Sequence, residues 1–164
     1  MRIPVKMKFA ALAVICAATM AACGGGPPMA MADLAAYPGS SELKPGESKI
    51  AETLKKNMEM DTQLRQAIGT GGKTEQKGFK LPSDASWDKV KSFYADKLKA
   101  GGWTEGMGGS AGNMVANIMN TVNAANEVFQ SGIFTKGSQT LSIFRMADPI
   151  DKTQVVMIAS LSSR

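Results

Sequence analysis

The sequence predicts an α+β fold: a small antiparallel sheet packed against a central helix, with an N-terminal helix and an inserted helix. Three observations lead there. Residues 87–100 place Trp87, Val90, Phe93, Tyr94 and Leu98 on one face at helical spacing. Residues 133–162 alternate or run apolar and are broken twice by turn signals, which reads as β structure. Residues 23–164 are enough for one domain with a modest core, placed at 47–164.

Residues 1–22 read as an export signal. Arg2, Lys6 and Lys8 give a charged start, Phe9 to Ile15 is a short apolar run, and Ala17 to Ala22 is a small-residue stretch. The run is too short and wrongly flanked for a spanning helix. Residues 23–46 read as a tether and lead-in. Gly24-Gly25-Gly26-Pro27-Pro28 is flexible, then stiff, and is not core material. Ala30 to Ala36 reads as a short strand, and Tyr37-Pro38-Gly39-Ser40 and Pro45-Gly46 as turns.

Ser48 is the expected N-cap of a first helix over 49–68, with Ile50, Leu54, Met58, Leu64 and Ile68 as an imperfect stripe and Gly69 as its stop. Residues 73–81 read as a strand closed by Leu81-Pro82. The 87–100 helix has Ser86 as cap, Asp88 complementing the helix dipole, and Gly101-Gly102 as stop. No charged residue occurs between Glu105 and Glu127. Within that stretch Gly106 to Gly112 reads as loop, and Asn113 opens a third helix with Val115, Ile118, Val122, Ala125 and Phe129 along one face. Ile133 to Ala147 reads as a hairpin around Lys136-Gly137-Ser138. A turn at Pro149-Ile150-Asp151-Lys152 then leads to a last strand over 154–162, covered on at least one face.

Composition narrows the chemistry. The chain has 19 basic and 14 acidic residues, but three of the basic ones leave with the signal, so the remainder carries a net charge of +2. Those charges are interspersed, which describes a solvated surface and no nucleic-acid footprint. There is no histidine, and of the two cysteines Cys16 lies in the signal. The commonest general base, the commonest zinc ligand and any thiolate metal site are therefore missing, and no catalytic, cofactor or metal residue is expected.

Three short patterns mimic catalytic motifs. Ala67 to Thr74 nearly matches a phosphate-binding loop, but lacks the first glycine and follows a helix instead of a strand. Gly108-Gly109-Ser110-Ala111-Gly112 matches G-x-S-x-G without any histidine to take the serine proton. Ser86-Trp87-Asp88-Lys89 matches S-x-x-K without S-D-N or K-T-G, and capping explains Ser86.

Met20-Ala21-Ala22-Cys23 resembles the lipobox of bacterial lipoproteins, with methionine where leucine is usual. The resemblance implies a diacylglyceryl group on the Cys23 thiol, cleavage just before it and acylation of the new amino end by a palmitate-like chain. It implies an exported protein whose membrane contact is its N-terminal lipid anchor. Gly24 in the next position, where Asp is absent, resembles the outer-membrane sorting signal; in a cell with two membranes the domain would face the periplasm. The run Asp84 to Tyr94, with Leu98 and Gly101-Gly102-Trp103, resembles a pattern of small uncharacterised bacterial envelope domains: a short strand, a turn, a helix carrying Phe-Tyr and Leu, Gly-Trp, then strands. It implies a fold and a compartment and no catalytic residue. Residues 106–132 stand outside that pattern as a charge-poor helical insertion.

The reading that follows is a lipid-anchored, non-catalytic binding or scaffold protein of the cell envelope. Its partner would be another envelope protein or an apolar ligand. Residues 106–132 are expected to act as a mobile flap, with contacts at Met107, Met114, Ile118, Met119 and Val122. The alternatives are a carrier or sensor of an apolar ligand with 106–132 as lid, and, third, a carboxylate-based hydrolase. An apolar pocket beneath the third helix would favour the carrier, an exposed apolar patch the partner, and convergent buried carboxylates the enzyme.

Overall fold

The computed structural model describes residues 27–67, 69, 72–107, 109–147 and 153–163. The expected signal segment 1–22, Cys23, Ile68 and the expected turn at Pro149-Ile150-Asp151-Lys152 lie outside the described residues. Three helices, α1 (Lys49–Ala67), α2 (Trp87–Ala100) and α3 (Gly109–Ala125), accompany six strands. The strands are β1 (Ser41–Glu42), β2 (Lys73–Leu81), β3 (Thr104–Glu105), β4 (Phe129–Lys136), β5 (Gln139–Ala147) and β6 (Val155–Ser163). They form one antiparallel sheet in the order β1-β2-β6-β5-β4-β3. The fold is α+β, as the sequence predicts.

Strand alternation divides the core into two layers. On one face Phe79, Leu141, Ile143 and Met157 meet Val90, Tyr94 and Leu98 of α2. On the other, Met146, Val156 and Ile158 meet Ile50, Ala51, Leu54 and Met58 of α1. The central strand β6 is therefore covered on both faces, and residues 155–161 are all buried. Trp87 lies across the sheet at Gly132, where an added Cβ would stand 3.2 Å from the indole ring. Helix α2 is capped as expected, with the Ser86 side chain accepting from the Lys89 N–H. Helix α1 follows its stripe only as far as Met58; Leu64 is exposed, because the step of six residues from Met58 carries it off the packed face. The β4–β5 hairpin closes with Lys136 opposite Gln139, and Gly137 supplies the positive φ of +55° that a two-residue turn needs.

The lead-in segment differs from expectation. Met31–Asp33 is a single 3-10 turn, not a strand, and the Asp33 carboxylate accepts the Ala30 N–H at 3.1 Å. Met31 and Leu34, spaced three apart, both reach the α2-side core. The Gln139 side chain accepts from the Met29 N–H and donates to the Met29 carbonyl, each at 2.8 Å, so the folded body begins near Met29, ahead of residue 47. Glu75 also holds this segment, accepting the Met31 N–H at 3.3 Å and pairing with Lys73 at 2.5 Å. The lysine hydrogen bond, then the Met31 N–H, hold its carboxyl below the ordinary carboxylate value of 4.5. A depressed folded value means that this stability is present above the ordinary value and lost as pH falls through the lowered one. Glu75→Gln should therefore flatten the acid limb of a plot of unfolding midpoint against pH, read below about pH 4.5; an unchanged acid limb would contradict it.

The segment 106–132 is also revised. Helix α3 starts at Gly109 rather than Asn113, and residues 129–132 belong to β4. Glycines weaken a helix by about 1 kcal/mol each relative to alanine, which is why the start reads as loop, but tertiary packing outweighs that preference. The helix stops where Asn126 Oδ1 accepts the N–H groups of Val128 and Phe129, at 2.9 and 3.0 Å, diverting the backbone into the strand.

Candidate functional site

The expected contact residues belong to α3 and the loop that leads into it, and what α3 does for the sheet decides how they are presented. Strand β4 pairs with β3 only at Phe134 and Thr135, so the rest of its outer edge needs other partners. Gly106 N–H donates to the Ile133 carbonyl at 2.7 Å. Asn123 of α3 serves Ser131 in both directions: its Nδ2 donates to the Ser131 carbonyl at 2.6 Å and its Oδ1 accepts the Ser131 N–H at 2.9 Å. The amide copies the donor and acceptor of a neighbouring strand. Gln130 Nε2 returns a bond to the Asn123 carbonyl at 3.1 Å. On the same side Lys91 of α2 joins Glu105 at 2.7 Å and Asn120 Oδ1 at 3.0 Å, linking α2, β3 and α3.

The Asn123 amide thus attaches the end of α3 to the strand edge, and two aliphatic residues of the helix are turned outward. Ile118 is 55% and Val122 51% exposed. Met107, ahead of the helix, is exposed as well. Met119 is half-buried and lines a cavity of about 20 Å³ beneath the helix with Met107, Ala116 and Ile133. The Met114 side chain lies outside the described residues. The five residues therefore divide: Ile118 and Val122 form an outer ridge, while Met119 faces the strand. Phe129, expected on the helical stripe, packs with the α1-side cluster instead. A cavity of about 20 Å³ holds about one water and leaves no room for an apolar ligand beneath the helix.

Asn123 is the residue that sequence reasoning missed. Its signal was a polar residue within one turn of Met119 and Val122, and only the strand edge explains it. A second concavity, of about 710 Å³, opens between the start of α2 and the end of α3 and contains Arg145. Arg145 Nε donates to the Ala85 carbonyl at 2.8 Å and Nη1 to Gln130 Oε1 at 2.8 Å, so the guanidinium pins the α2 lead to β4. Burial lowers its pKa, partly offset by the charge of Glu127.

The catalytic look-alikes have structural explanations. Helix α1 ends at Ala67 and β2 starts at Lys73, a helix-to-strand order opposite to that of a phosphate-binding loop. Residues 109–112 form the first turn of α3. Lys89 Nζ contacts the Asp84 carboxylate at 3.5 Å, while its backbone N–H reaches Ser86 Oγ. Among the described residues no group of three or more acids, histidines or cysteines could hold a metal ion. Carboxylates at Glu42, Asp84 and Glu105 each pair with a separate lysine and do not converge. Among the described residues no helix is long and apolar enough to cross a membrane. No protein-family model matches the chain, and no curated protein or solved structure matches it.

Proposed function

We propose that this protein is a lipid-anchored, non-catalytic binding or scaffold protein of the bacterial cell envelope, attached through Cys23 and offering the outer side of α3 to a protein partner. The observation that carries the binding role is the exposed pair Ile118 and Val122 on a helix held by its amides. A surface helix normally buries its aliphatic stripe and exposes its amides. Here Ile118 and Val122 stay exposed while Asn123 is buried against the strand edge, and charge is absent from residues 106–126, as at the centres of protein interfaces. The small cavity beneath α3 supports contact at the surface over carriage of an apolar molecule. The lipobox-like Met20–Cys23 supports the anchor, for which several acyl chains together give stable attachment.

Affinity capture of the native acylated protein tests both parts. Cys23→Ala should abolish lipid labelling and release the protein from membranes. The double variant Ile118→Ser, Val122→Ser should remain membrane-bound and folded while losing its co-purifying protein. Unchanged membrane fractionation of the first variant would remove the anchor. Unchanged capture by the second, or capture of a lipid in place of a protein, would remove the proposed interface.

A further inference from the structure

The α1-facing side of the sheet changes character along its length. At one end it is apolar, with Phe129, Met146 and Val156 side by side. At the other it carries hydroxyls. Thr104 pairs with Thr135, Thr135 with Thr140, Thr140 with Ser162, and Ser162 with Thr74, so one row of five hydroxyls crosses five strands. In the next row Ser142 stands opposite Ser160, and Ser160 opposite Gln76. Neighbouring strands lie ~4.8 Å apart, giving the longer row a span of ~19 Å.

This half of the face is recessed rather than open. Asn57, Asp61 and Thr62 of α1 wall a groove of about 990 Å³ above it, with Phe144 also in the lining. Among the described residues, Asp61 and Lys136 are the charged members of that lining. Ser160 is 7% exposed, lines the groove and has no side-chain hydrogen bond to the described residues. A recess of about 360 Å³ shares Thr62 and Thr74 with the groove and reaches Gln76. Gln76 Oε1 is buried without a hydrogen-bond partner.

Buried polar atoms are ordinarily satisfied, and one left unmade is costly. Thr104, Thr135 and Ser162 already donate to backbone carbonyls, at 3.3, 2.9 and 3.4 Å, whereas the side chains of Thr74, Thr140, Ser142 and Ser160 have no hydrogen bond to the described residues. An occupant that completes these four and Gln76 must both donate and accept, because each hydroxyl does both and Gln76 Oε1 only accepts. An apolar molecule would leave them unpaired. An anion would meet a neutral floor and could not donate to Gln76. A polyhydroxylated chain meets every requirement, and Phe144 offers a flat apolar face for its C–H groups. We propose that this groove binds a neutral glycan, an extended oligosaccharide lying along the hydroxyl row. The site is separate from the ridge on α3.

The test is calorimetric titration of the native protein, in a detergent with no sugar headgroup, with cellotetraose, chitotetraose and maltotetraose. At least one should bind saturably. The double variant Ser142→Ala, Ser160→Ala should weaken that binding tenfold or more, and Thr140→Val should weaken it independently. Thr53→Ala, on α1 outside the groove, should leave it unchanged. Thermal melts verify that each variant is folded, and Thr140→Val replaces the double variant if the latter is not. No saturable binding with any of the three, or wild-type affinity in a folded groove variant, would overturn the proposal.

Discussion

Tyr94→Ala is expected to lower the stability of the domain by about 3–5 kcal/mol, a large part of the 5–15 kcal/mol typical of a single domain. Tyr94 is fully buried at the centre of α2. Its ring meets Phe93 edge-on at 5.0 Å, and Phe93 meets Tyr37 at 5.4 Å, so the loss reaches from the helix into the lead-in segment. Its hydroxyl donates to the Ala35 carbonyl at 3.0 Å. Burial pushes the phenol pKa up, so the donor keeps its proton across the range in which the protein would be studied. Urea denaturation measures the effect as a fall in midpoint at constant slope. Tyr94→Phe, which removes only the hydrogen bond, should cost about 1 kcal/mol. Lys99→Ala, on the exposed side of α2, should stay within about 0.5 kcal/mol. Equal, small effects from all three would show that the face of α2 has been misassigned.

Asn123→Leu should be the most damaging change on α3, although it makes the helix more apolar. It leaves the Ser131 N–H and carbonyl without partners, at about 1–3 kcal/mol for each group that water cannot reach. It also uncovers part of the β4 edge, which invites strand pairing between molecules. The expected result is a lower melting temperature together with concentration-dependent self-association by sedimentation. Asn117→Ala, exposed on the same helix, should do neither. A native melt and unchanged sedimentation for Asn123→Leu would mean that the edge is held without the amide.

The sequence was most legible where local signals and burial agree. The bounds of α2 and β2, and the turn at Gly137, follow from a cap, a proline, a glycine pair and an alternation that the fold does not override. Helix α3 was legible as a helix but not in its orientation. A 3.6-residue stripe normally marks the buried side, and here an unpaired strand edge draws Asn123 inward beside Ala116 and Met119 and leaves Ile118 and Val122 exposed. Lys91 reads as one more solvated lysine on α2, yet it joins two other elements that are distant in sequence. The hydroxyl rows have the same origin. Thr140 and Ser142, or Ser160 and Ser162, read as short polar alternations, and only the register across five strands assembles them into one surface.

The position of β6 also has a consequence for the order of assembly. The last described strand is the middle of the sheet, inserted between β2 and β5, and it pairs Lys73 with Ser163 across most of the folded sequence. Until it arrives, β2 and the β4–β5 hairpin are separate pieces with no shared layer, and both core clusters lack their common wall. Such non-local pairing slows folding, because a long loop must close before its contacts can compensate. A chain threaded from its amino end would therefore leave the sheet unjoined until β6 had emerged. That delay concentrates the hazard of mispairing in the interval before β6 docks.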